Sequence, residues 1–118
     1  MLPFLLIAAL AVPAAAQDSA VSPQLTLEQS TALRCSAAFA IVAADQAAGD
    51  AKALEFPPMA QRGREFFVRA SAQLMDEAGV TRADVAALLQ VEAQRQRDTG
   101  NTAEIMPACL LLLDASGI

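Results

Sequence analysis

The 118-residue chain carries 8 Lys and Arg against 13 Asp and Glu, a formal net charge of −5 at pH 7, and contains no His, Trp or Tyr. Without histidine there is no Ser-His-Asp triad, no Cys-His dyad, no H-E-x-x-H zinc site and no imidazole base. The acidic balance argues against nucleic acid and anionic membrane surfaces as partners, since both favour Lys/Arg patches.

The N-terminus reads as an export signal. Leu2 to Val12 is an apolar run without a charge, followed by Pro13 and Ala14-Ala15-Ala16. Small residues at Ala14 and Ala16 fit signal-peptidase cleavage between Ala16 and Gln17. The run falls short of the roughly 20 apolar residues that span a bilayer, so no membrane insertion of the mature chain is expected. One departure from the usual pattern is the n-region, Met1 alone, whose α-amino group supplies the sole positive charge. The division is therefore a signal peptide over 1–16, an extended lead-in over 17–25 around Ser22-Pro23, and one helical domain over 26–118. A periplasmic or secreted location follows.

Abundant alanine and few β-branched residues favour helix over sheet. Thr26-Leu27-Glu28-Gln29 matches a capping box and predicts a helix to about Ala48, ended by Gly49. Its middle, Cys35 to Ala44, carries no charge on any face, as expected of a central helix packed on several sides. Asp50 to Phe56 is a connection, and Pro58 suits the first turn of a second helix. In that helix Met59, Gly63, Phe66, Phe67, Ala70, Leu74 and Ala78 form one face. Arg62, Glu65, Arg69, Gln73 and Asp76 form the other, with Glu65 and Arg69 as an i,i+4 pair. Gly63 is costly inside a helix and suggests close approach to the first helix or a kink.

Gly79 ends the second helix, and Thr81 with Asp84 caps a third whose apolar side is Val85, Leu88, Leu89 and Val91. Its end, Gln94-Arg95-Gln96-Arg97-Asp98, is polar all round and should project into solvent or meet a partner. Thr102-Ala103-Glu104 can cap a last segment. Pro107 predicts a short turn first, then a helix from about Pro107 to Asp114 whose leucines are buried. The expected fold is all-α, a small bundle of about four helices.

Cys35 and Cys109 are the two cysteines. Their wide spacing fits neither a C-x-x-C redox motif nor, without further ligands, a zinc site. An oxidising compartment makes them a structural disulfide joining the first and last helices. Arg62, Arg64 and Arg69 could grip an anion, although charge runs are usually solvated faces. Asp76, Glu77, Asp84 and Glu92 do not converge on a catalytic dyad, and Phe39, Phe66 and Phe67 read as core. No catalytic residue, metal site or cofactor is expected. Arg62, Arg69, Gln94, Arg95 and Arg97 are the candidate contact surface.

The export signal, with Leu33-Arg34-Cys35-Ser36-Ala37-Ala38-Phe39, Arg62-Gly63-Arg64-Glu65-Phe66-Phe67 and Met106-Pro107-Ala108-Cys109, resembles small uncharacterised secreted proteins of alphaproteobacteria, sphingomonads in particular. That resemblance implies a periplasmic helical protein and no activity. In architecture alone, the chain is similar to periplasmic acid-stress chaperones of the HdeA type and to small periplasmic immunity proteins. The leading expectation is a non-enzymatic periplasmic protein that binds a protein partner. An acid-responsive chaperone is the alternative, and a carboxylate-based enzyme is the least favoured.

Overall fold

The computed structural model describes residues 24–118. The export segment, the Ala16/Gln17 cleavage point and most of the lead-in lie outside the described residues. Four helices follow in chain order: α1 (Leu27–Ala47), α2 (Ala60–Ala78), α3 (Arg82–Thr99) and α4 (Thr102–Ala115). A single 3₁₀ turn, Ala53–Glu55, lies between α1 and α2. No strand is present among the described residues.

α1 is the hub. Both halves of its capping box form: Gln29 N–H donates to Thr26 Oγ1, and Thr26 N–H donates to Gln29 Oε1. Five successive residues, Cys35 to Phe39, are buried, so every face of this stretch meets protein. α2, α3 and α4 each pack on α1, as its uncharged middle requires. The α1–α2 pair is antiparallel. Gln29 reaches Glu77 at one end, Phe39 meets Phe66 in the middle, and Gln46 bonds Met59 at the other. The Phe39 and Phe66 rings stand edge to face, with centroids 5.3 Å apart. A Cβ on Gly63 would lie 3.0 Å from Phe39 Cβ, so Gly63 is there for close approach.

The Cys35–Cys109 disulfide joins α1 to α4 across a Cα–Cα distance of 5.2 Å and closes a separation of 74 residues. Around it lie Phe39, Val42, Met59, Phe66, Met106 and Leu113, the heart of the core. α2 and α3 both end on glycines at φ 66°, Gly79 and Gly100, where a side chain would be strained.

The structure corrects five expectations. α4 is one continuous helix from Thr102 through Pro107, not a turn followed by a helix. Pro107 lies in the second turn, so its missing N–H costs one bond, to the Ala103 carbonyl. Burial of Met106, Cys109 and Leu113 on α1, together with the covalent link, outweighs that loss. The leucine run is also not wholly buried: Leu111 is 72% exposed and Leu112 36%.

α2 begins at Ala60 with Met59 as N-cap, so both prolines precede it. Met59 offers no side-chain cap. Gln46 supplies the missing partner from α1, its Oε1 accepting from Met59 N–H at 3.0 Å. The same side chain donates through Nε2 to the carbonyls of Ala53 and Pro57, fastening the whole connection.

In α3, Val91 is 61% exposed, whereas Glu92 and Gln96 are buried. The inward face is Val85, Leu89, Glu92 and Gln96, apolar at its start and polar at its end. The Gln94–Asp98 segment therefore lies along α1 instead of projecting away. Finally, Arg69 is not held by Glu65. It donates to the Ser116 main-chain oxygen at 3.0 Å.

Candidate functional site

The arginines singled out from the sequence are engaged within the fold. Arg62 donates through Nε and Nη2 to the Ile118 main-chain oxygen, at 3.2 and 2.9 Å, and pairs with Asp114 at 2.9 Å. With Arg69 it fastens the end of α4 to α2. Arg97 pairs with Asp45 of α1 at 3.2 Å, and Arg95 with Glu92 at 3.1 Å. Gln94 donates to Asp98 on its own helix at 2.8 Å. Arg62 and Arg69 thus lie where α2 meets the end of α4, and Arg97 where α3 meets α1. Arg64, between Arg62 and Arg69 in sequence, has no ion-pair or hydrogen-bond partner for its side chain among the described residues.

The carboxylates likewise serve structure. Asp84 completes the α3 capping box, accepting from Thr81 N–H at 2.9 Å, while its own N–H donates to Thr81 Oγ1 at 3.1 Å. The Thr81 hydrogen bonds hold the Asp84 carboxyl below the usual range. Glu77 accepts from Gln29 at 3.3 Å, and Glu92 accepts from Gln96 at 3.3 Å. Among the described residues no group of three His, Cys, Asp or Glu could hold a metal ion. No described helix is long and apolar enough to cross a membrane.

Gln96, whose sequence neighbours read as a solvated end, is 1% exposed. Its Nε2 donates to the Arg34 main-chain oxygen of α1 at 3.0 Å, and its Oε1 accepts from Thr102 Oγ1 of α4 at 3.1 Å. One amide therefore ties three helices. Gln46 plays the corresponding part at the α1–α2 connection. A glutamine recurring at i+4 from a buried glutamate, at the register of Val85 and Leu89, was the only sequence signal for Gln96.

The surface best shaped to receive another molecule is a groove of about 330 Å³ where the start of α1, the second half of α2 and the end of α4 meet. Phe66, Leu74, Ala32, Ala70 and Leu112 give it an apolar lining, and Glu28, Glu77 and Arg69, the last donating to the Ser116 carbonyl, are its charged members. Neither carboxylate is paired with a cation among the described residues. Such a groove offers apolar area and charge to a second molecule.

Compared with protein-family models, curated proteins and solved structures, the chain matches none of them.

Proposed function

We propose that this chain is an exported, non-enzymatic interaction protein that binds a protein partner in the α1–α2–α4 groove. The carrying observation is the combination at that groove of an apolar lining with two carboxylates, Glu28 and Glu77, that pair with no cation among the described residues, the lining's Arg69 being turned to the Ser116 carbonyl. The occupant that fits is an amphipathic segment with aliphatic or aromatic anchors and a Lys or Arg beside them.

Photo-crosslinkers placed at Gln73 and Thr31 test this in the exporting host, with Val91 on α3 as control. The reading expects one reproducible partner captured from both groove positions and lost with Leu112→Asp. Equal capture at Val91, or indifference to Leu112→Asp, defeats it. So does a hydrolase or transferase activity abolished by substituting one carboxylate. The export element has its own check, the intact mass: a chain starting at Gln17 and lacking two thiol hydrogens is expected.

A second reading, an acid-responsive chaperone of the kind the HdeA likeness suggests, has its own support. Every ion pair between helices contains a carboxylate, Asp45 with Arg97 and Asp114 with Arg62. Protonating all 13 carboxylates while the 8 Lys and Arg stay charged swings the side-chain charge from −5 to +8. Self-repulsion and lost ties together would open the bundle. At about pH 2–3 this reading expects apolar-dye binding and suppression of client aggregation. Absence of both discards it.

A further inference from the structure

On the side of the molecule facing α3, α1 and α2 leave a second groove of about 290 Å³. We propose that it binds a medium-chain aliphatic carboxylate, the carboxylate held by Arg64 and Ser36 and the alkyl chain lying along the alanines of α1 and α2. This site is separate from the partner groove and does not rest on it.

The floor is apolar and narrow. Ala40 and Ala43 of α1 face Ala60 and Gly63 of α2, and the small side chains leave a trough between the helices. Phe39 and Met59, both fully buried, lie beneath it, while Phe67 and Leu89 wall one end. From Ser36 to Ala43 along α1 is roughly 10 Å at 1.5 Å per residue, the length of an extended chain of about eight carbons.

Two polar groups single out the head group. Ser36 lines the trough, is 2% exposed, and its Oγ has no hydrogen-bond partner. A buried hydroxyl without a partner is costly, so an incoming acceptor gains from it. Arg64 also lines the trough and pairs with no carboxylate among the described residues, unlike Arg62 near it, which is tied to Asp114. No Asp or Glu lines the trough. In a chain of net charge −5, a free guanidinium over an apolar slot selects an anion with an apolar tail.

Calorimetric titration with monomeric decanoate, using the full oxidised chain, tests the site. Saturable binding is expected, weaker by about tenfold for octanoate because two methylenes are lost. Arg64→Gln should weaken decanoate by about tenfold and Ser36→Ala by severalfold, whereas Arg82→Gln, at an exposed position outside the trough, should change nothing. Ala40→Leu should abolish binding by filling the trough; Ala40 is exposed, so the fold tolerates the larger side chain. Amide shifts should map to Ala43, Phe67 and Leu89. Equal binding of decyltrimethylammonium would overturn the proposal, as would no saturable binding up to millimolar decanoate, or affinities indifferent to both Arg64→Gln and Ala40→Leu.

Discussion

α4 and α3 are both docked on α1, but by different physics. α4 is attached by a covalent bond and by Met106 and Leu113 in a dry core. α3 contributes Val85 near its start, and towards its end it is held by an amide and an ion pair: Gln96 to Arg34 and Arg97 to Asp45. Apolar burial and a crosslink respond little to pH or salt, whereas polar ties respond to both. The bundle thus has a permanent half and a conditional half, and α3 should be the first helix to leave.

The largest effect should come from removing the staple. Replacing both Cys35 and Cys109 by Ala frees a loop of 74 residues, at a cost of about 4 kcal/mol in the chain-entropy account. For a domain of this size that is a large fraction of total stability. Urea unfolding measures the loss, and hydrogen exchange should show α4 losing protection with α3 no worse than before. A selective loss in α3 would reverse the comparison. Next comes Gln96→Ala, expected to cost about 2 kcal/mol by stranding Glu92 and Thr102 and opening a cavity. Gln96→Leu restores the volume but none of the bonds. Similar losses in both variants would identify the bonds as the holding force, and recovery in the Leu variant would make α3 a second apolar interface.

Gly63→Ala probes the α1–α2 seam, common to both halves. Alanine gains about 1 kcal/mol of helix propensity, yet its Cβ would meet Phe39 Cβ at 3.0 Å, and that atom is fixed to the α1 backbone. Separating two packed helices should outweigh the gain and leave a net loss of about 1 kcal/mol. Net stabilisation would show that the seam can give.

How much of this was legible depends on the period of the signal. The α1 capping box, the charge-free middle of α1 and the Gly63 contact were readable because each is a local pattern of residue type against helical spacing. Pro107 misled because a proline's cost is local while its compensation, the Cys109 staple and Met106, comes from tertiary packing. Gln96 and Gln46 were invisible for a related reason. A glutamine is polar in any reading of amphipathicity, and only the backbone carbonyls that happen to face it make it a core residue. The partner groove was half legible: Phe66 and Leu74 read as one apolar face, but the exposure of Leu112 was hidden because a run of four leucines is apolar on every face and carries no phase. No pattern pointed to Glu28 and Glu77 lining one groove from two helices.

The smallest predicted effect separates the two halves by pH alone. Asp84 caps α3, and its carboxyl is held below the ordinary aspartate value by the Thr81 hydrogen bonds. A depressed folded-state pKa means the contribution is fully present above the ordinary value, about 4, and is lost as pH falls through the lowered one. Acid should therefore fray the start of α3 while α4, whose N-cap Asn101 forms no side-chain cap bond, stays as it was. Exchange rates of the first α3 amides, followed from about pH 6 to 3, report this directly. Asp84→Asn should flatten that dependence and leave the α4 amides unchanged. If α4 loosens in step with α3, the two helices share one cooperative unit, and the conditional half extends through Gln96 and Thr102 into the stapled one.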